Sequence, residues 1–303
     1  MPIPVEVGEE LSLEHRTGDE MPRSCLMNQG ACLKTFTPEP QPDGSKPLLV
    51  ALHGWLLSGR LWGPMARELG SDWDLWAPDL PGFGDCPRPR GLQPNLASYG
   101  RWVAARCLER LGHQQVTPAT SGRRVVLIGH SLGGSIALHA APFLGPHLAG
   151  LVQIASGGGV YQPRPFQQVR RGGSTFLRWR PSWLLKVPGT DALRSPLRAD
   201  LRAARGLLAC SMRRSAVHQL PQLLSKLEVP SLWVAGSRDT VMTPRYVQHL
   251  AGYAQQHQLS LLEGAGHLPM LQMPGTLASV LSHWLEEKFL VENLSLAARA
   301  PVP

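Results

Sequence analysis

The chain has 303 residues, 43% of them hydrophobic, and carries a formal net charge of +8. That much apolar material fills one large packed domain or two modest ones, which excludes a disordered chain as the default. No stretch approaches the roughly 20 apolar residues that a membrane-spanning helix needs, and residues 1–21 are acidic and polar, unlike a secretory leader. The cysteines Cys25, Cys32, Cys86, Cys107 and Cys210 are odd in number and lack metal-ligand spacing, which fits reduced thiols and a cytoplasmic protein.

Residues 1–22 show no periodicity and several breakers and read as a loose arm. Ser24–Met27 and Ala31–Phe36 flank Asn28-Gln29-Gly30, the pattern of a hairpin at a sheet edge. Leu48-Leu49-Val50-Ala51-Leu52 is a short unbroken apolar run, as expected of a strand covered on both faces, and it ends in His53-Gly54-Trp55. Leu61, Trp62, Met65, Ala66 and Leu69 recur at helical spacing. Leu75-Trp76-Ala77 then leads into Asp79-Leu80-Pro81-Gly82-Phe83-Gly84, and a helix is expected from Leu96 to Leu111 with Tyr99, Val103, Cys107 and Leu111 inward.

Val125-Val126-Leu127-Ile128 is the next buried strand, and Gly129-His130-Ser131-Leu132-Gly133 follows it at once. This is G-x-S-x-G between a strand and a helix, the setting in which a serine is lifted clear of a sheet on a strained turn. Gly129 and Gly133 stand where the backbone crosses itself and a Cβ would collide. The helical stretch Ser135–Ala141 is expected to stop or kink at Pro142, and Leu148–Ser156 gives another strand. A serine hydroxyl is a poor nucleophile near neutral pH, so it needs a histidine base and a carboxylate that holds the histidine's tautomer. Two later strands supply candidates: Val229–Gly236 runs into Asp239, and Leu259–Leu262 runs through Gly264-Ala265-Gly266 into His267.

The order Ser131, Asp239, His267, with the two earlier loop motifs, makes the chain resemble the α/β-hydrolase superfamily from about Lys46 to Leu290. The resemblance implies an α/β fold: a mostly parallel sheet with helices on both faces and a mainly helical cap. It places the hydrolase core in residues 23–159 and 223–290, the cap in 160–222 and a tail in 291–303. It implies that Ser131 attacks, His267 carries the proton, Asp239 orients His267, and the backbone N–H groups of Trp55 and Leu132 form an oxyanion hole. It also implies that His53 shapes the oxyanion loop. The reaction expected is hydrolysis of a carboxylic ester or thioester through an acyl-enzyme. A carbon–carbon bond hydrolase or lyase with the same three residues, and a non-catalytic protein on this scaffold that binds an anionic membrane or partner, are the alternatives. His53-Gly54-Trp55 and Asp79-Leu80-Pro81-Gly82-Phe83-Gly84 are similar to the pimeloyl-carrier-protein methyl ester esterases, whose protein substrate is acidic.

The cap is the basic part of the chain. Between Arg164 and Arg214 twelve basic residues stand against Asp191 and Asp200 alone, an excess larger than that of the whole chain. Arg170, Arg171, Arg178 and Arg180 are therefore candidates to steer an anionic or carrier-linked substrate, with a solvated surface as the plain alternative. Trp179 and Trp183 are candidates for an acyl pocket or cap core, ahead of contact with a membrane surface. His130 reads as a packing residue that orients the turn. The remaining histidines lack partners at ligand spacing, so no metal is expected. No Walker lysine follows Gly82 and Gly84 and no dinucleotide motif is present, so no cofactor is expected, and no reading motif for nucleic acid accompanies the charge. Pro274–Leu290 closes the core as an amphipathic helix.

Overall fold

In a computed structural model the described residues are 46–112, 123–157, 163–179 and 191–290. The expected arm, edge hairpin and tail lie outside them. Six strands form one sheet: β1 (Leu48–Leu52), β2 (Leu75–Trp76), β3 (Val125–His130), β4 (Leu148–Ile154), β5 (Ser231–Gly236) and β6 (His257–Leu262), in the order β2-β1-β3-β4-β5-β6. All neighbours are parallel. Every residue of β1, β3, β4 and β5 is buried, which is why these runs are continuously apolar rather than alternating. At the edge, β6 alternates, with Leu259 and Leu261 exposed.

Helices cover both faces. The helix α1 (Gly63–Leu69) follows a 3-10 turn and packs on α10 (Pro274–Phe289), while α2 (Leu96–Arg110) packs on α3 (Leu132–Leu144). Tyr99, Val103, Cys107 and Leu111 are all buried, as the spacing required. The helix α3 differs from expectation at both ends. It begins at Leu132, straight from the turn, and runs past Pro142 to Leu144 before Gly145 ends it at φ 49°. Pro142 falls in the last turn of the helix, and Leu144 beyond it is buried.

Between β4 and β5 the described residues form only helices: α4 (Pro163–Trp179), α5 (Asp191–Arg198), α6 (Leu201–Ser211) and α7 (Arg214–Ser225). Helices α8 (Pro244–Ala251) and α9 (Pro269–Gln272) complete the core. The loop after β2 anchors the helices that lie between β4 and β5. The Asp200 N–H donates to the Gly82 carbonyl at 2.6 Å, Arg88 pairs with Asp200 at 3.1 Å, and Asp200 in turn caps α6 through the Ala203 N–H. Within that loop the buried Asp79 accepts the N–H groups of Gly59 and Asp85, and the Tyr99 hydroxyl donates to the Pro81 carbonyl.

One expectation is corrected. Cys86 is disulfide-bonded, whereas Cys107 and Cys210 are free. Spacing along the chain cannot show which sulfurs meet in space, and the bond removes the thiol argument for a reducing compartment. Among the described residues no helix is long and apolar enough to cross a membrane, and no group of three or more potential ligands is placed to hold a metal.

Candidate active site

The carboxyl ends of β3, β5 and β6 deliver the three residues singled out in the sequence. Ser131 follows β3 directly, at φ 52° and ψ −117°, a conformation that a residue with a side chain adopts only under strain. The turn closes because its glycines leave room. A Cβ on Gly129 would stand 2.4 Å from the Gly134 Cα, and one on Gly133 would stand 2.4 Å from the Leu52 carbonyl oxygen. Ser156, after β4, donates its hydroxyl to the Ser131 carbonyl at 3.0 Å and braces the turn from the neighbouring strand.

The Ser131 Oγ lies 3.2 Å from Nε2 of His267, and His267 Nδ1 lies 2.8 Å from Oδ2 of Asp239. Asp239 is 2% exposed. Its other oxygen, Oδ1, accepts the N–H groups of Val241 and Met242, each at 2.8 Å. Burial pushes the Asp239 carboxyl up, but the His267 hydrogen bond and charge, together with the two backbone donors, outweigh it and hold the group below its ordinary value. An ionised Asp239 accepts the His267 Nδ1–H and so leaves Nε2 free to accept the serine proton.

Two further histidines are buried beside these. His53 accepts the Leu80 N–H on Nε2 at 2.9 Å, so its proton sits on Nδ1, which donates to the Gly54 carbonyl. It thereby ties the loop after β1 to the loop after β2. His130 donates Nε2–H to the His267 backbone carbonyl at 2.8 Å, and its ring lies 5.0 Å from the His267 ring. Burial, then the nearness of His267, push the His130 imidazole down to about 3. A neutral His130 fastening the loop that carries His267 was not legible from its position inside the turn.

Trp55, after β1, and Leu132, opening α3, both line the space beside Ser131. Among the described residues no hydrogen bond is made by the backbone N–H of either. The loop is bent by Leu56 at φ 62°, and the Trp55 indole donates to the Ala204 carbonyl of α6.

A cavity of about 310 Å³ opens at Ser131, with Trp55, Leu57, Leu208, Met242 and Leu268 among its walls. Leu208 comes from α6, and Met242 from the loop that binds Asp239. These wall residues were not singled out in the sequence, although Val241 and Met242 follow Asp239 so closely that their proximity to the site was implicit. Of the proposed substrate contacts, Trp179 ends α4 with 78% of its surface exposed and is not among the cavity walls. Arg171 is exposed on α4. Trp183 and the side chain of Arg170 lie outside the described residues.

Comparison with known proteins places this geometry. Residues 49–280 match the model of the alpha/beta hydrolase family. The chain is 31% identical over 264 residues to a pimeloyl-[acyl-carrier protein] methyl ester esterase of Stenotrophomonas maltophilia, covering 80% of this chain and 94% of the relative. It is 33% identical over 251 residues to the protein of the same description from Xanthomonas oryzae pv. oryzae, covering 75% and 90%. Among solved structures, a thermophilic esterase from Thermogutta terrifontis superposes with a TM-score of 0.65 at 21% identity, over 85% of this chain and 99% of that one. MenH from S. aureus gives a TM-score of 0.65 at 17% identity, over 85% and 98%. On this evidence the chain belongs to the alpha/beta hydrolase family.

Proposed function

We propose that the protein is a serine-dependent hydrolase of a carboxylic ester or thioester that works through an acyl-enzyme. The observation that carries this reading is the hydrogen-bonded series Asp239, His267, Ser131, whose serine is held in a strained turn at the mouth of an apolar cavity. Ser131 Oγ attacks the carbonyl as His267 Nε2 takes its proton, and His267 returns that proton to the leaving alcohol or thiol. Water then repeats the sequence on the acyl-serine, with His267 as base. Asp239 orients His267 and stabilises the imidazolium. The Trp55 and Leu132 N–H groups hold the tetrahedral oxyanion, an interaction worth about 2.7 to 4 kcal/mol per donor.

The substrate reading is carrier-linked. It is supported by the identity to the pimeloyl-[acyl-carrier protein] methyl ester esterases and by the exposed arginines on the cap, Arg171 and Arg178 on α4 with Arg202 and Arg205 on α6.

Fluorophosphonate labelling tests the nucleophile. Wild-type protein is expected to take one label at Ser131 and to show a pre-steady-state burst with a p-nitrophenyl ester, while Ser131→Ala shows neither. A Ser131→Ala protein that keeps the wild-type rate would end the assignment. A labelled enzyme that turns over no ester would favour carbon–carbon bond cleavage by the same residues.

A further inference from the structure

The strand β6 closes the sheet on one side, and among the described residues no strand lies beyond it. Its pattern is inverted for a solvated edge. Leu259 and Leu261 are 43% and 51% exposed, whereas the polar Gln258 and Ser260 are half-buried. Side-chain contacts identify the two faces: Gln258 donates to Glu287 of α10, while His257 bonds the Ala254 carbonyl in the turn after α8. Leu259 and Leu261 are in step with His257 and so lie on the α8 side. Exposed on that side too is Tyr253, whose ring meets His249 of α8 edge-on. The open hydrogen-bonding groups belong to the same strand residues. The Ser231 N–H donates to the Gln256 carbonyl and the Ser237 N–H to the Leu262 carbonyl, so the even-numbered residues of β6 bond inward to β5. The N–H and C=O groups of His257, Leu259 and Leu261 point outward.

We propose that this edge pairs with the same edge of a second copy of the chain, antiparallel about a twofold axis at Leu259. Pairing His257 with Leu261 of the second copy, and Leu259 with its own counterpart, engages all three outward residues at once. The two sheets become one, and Leu259, Leu261 and Tyr253 of both copies come together on the α8 side. Nothing on the strand blocks a neighbour: it holds no lysine or proline, and its register with β5 runs without a bulge. Charge also favours a second copy. The chain carries +8 overall, but from Tyr246 to Glu287 it holds no lysine or arginine, and its acids there are Glu263, Glu286 and Glu287. The self-repulsion that a basic protein meets on dimerising is therefore least at this edge. In this register Glu263 stands about 26 Å from its counterpart, beyond the Debye length of about 8 Å at physiological salt, and Glu287 is paired with Lys288. An edge of six residues is a small core for an interface, so the dimer should dissociate on dilution.

Sedimentation velocity of the full chain across the micromolar range tests this. The wild type is expected to pass from monomer to dimer as its concentration rises. Leu259→Lys and Leu261→Lys should stay monomeric at every concentration, with the melting temperature and ester turnover of the wild type. Should the lysine variants fold poorly, Leu259→Cys tests the axis itself. It sets two sulfurs on Cα atoms about 5.5 Å apart, within disulfide reach, so mild oxidation should link that variant into a dimer and leave the wild type and Gln255→Cys unlinked. A wild type that is monomeric throughout, a dimer that both lysine variants keep, or equal linking at positions 255 and 259 overturns the proposal. Dimerisation that appears only after residues 291–303 are removed overturns it too, and assigns the edge to the chain's own tail.

Discussion

The indole Nε1–H of Trp55 donates to the Ala204 carbonyl at 2.8 Å, joining the loop after β1 to α6, 149 residues further on. A second contact pins the same ring, since a Cβ placed on Gly173 of α4 would stand 2.3 Å from it. The backbone N–H proposed to hold the oxyanion therefore belongs to a residue whose side chain is held between α4 and α6. Trp55→Phe keeps an aromatic side chain but removes both the hydrogen bond and the outer part of the indole that meets Gly173. Losing about 1 kcal/mol of positioning lowers kcat about fivefold, with KM little changed, because the donor acts on the transition state. Steady-state kinetics on one ester read both constants, and a KM rise with unchanged kcat would assign the indole to substrate binding instead.

Backbone strain at Ser131 separates stability from activity. Glycine adopts positive φ freely, so Ser131→Gly should be more stable than Ser131→Ala by about 1 kcal/mol, after about 0.4 to 1 kcal/mol is lost to the entropy of the unfolded glycine. Both variants should be inactive. Urea denaturation of the pair measures the difference, and equal midpoints would mean the turn relaxes when the hydroxyl is removed.

His130 ties stability to pH. Its folded value is lowered to about 3, against about 6.5 in the unfolded chain. The unfolded state thus binds more protons between these values, and the histidine's contribution is full above about pH 6.5 and declines as the pH falls. His130→Gln retains an amide to donate to the His267 carbonyl and removes the titration. Its stability should change less than that of the wild type between neutral pH and about pH 5. Parallel slopes in denaturation series at the two pH values would contradict the neutral, buried assignment.

Asp239 works in the same direction at lower pH. With its folded value depressed, its contribution is present above the ordinary carboxylate value near 3.9 and is lost as the pH falls through the folded one. Asp239→Asn should remove that acid limb. It should also lower kcat by about 10³ to 10⁴, because an amide no longer fixes Nδ1 as the protonated nitrogen of His267. A fall of less than about tenfold would mean another group holds the tautomer.

If a carrier protein is the substrate, its acidic surface meets the cap arginines over a distance that salt screens. Neutralising Arg170, Arg171, Arg178 and Arg180 together should lower kcat/KM for a carrier-linked ester and flatten its salt dependence. The rate on a small neutral ester should stay unchanged. A carrier-linked rate that is insensitive to both changes would leave the arginines as solvated surface.

Much of the fold was legible because a parallel sheet buries both faces of its strands. Val125–Ile128 and Leu48–Leu52 had no reading as surface, and the turn after β3 has few steric solutions. Ser131, Asp239 and His267 were legible as candidates for the same reason, each following a buried strand within a few residues. The cavity walls were not. Leu208 is one leucine of an amphipathic helix, and only the packing of α6 over the turn decides that it faces Ser131 rather than the cap interior. Trp179 closes α4 with most of its surface exposed among the described residues, which its size in the sequence does not indicate. The contact from His130 to the His267 carbonyl spans 137 positions and depends on how two loops stack, which no local pattern encodes.

The separation between Ser131 and its partners has a kinetic meaning for the chain as it folds. The hydroxyl and the imidazole are 136 positions apart, and the strands that bring them together, β3 and β6, are not neighbours: β4 and β5 lie between them in the sheet. No fragment ending before β6 holds a complete relay, and non-local pairings of this kind form late and slowly. Regain of esterase activity during renaturation should therefore report the last strand to dock, lagging behind recovery of helical signal.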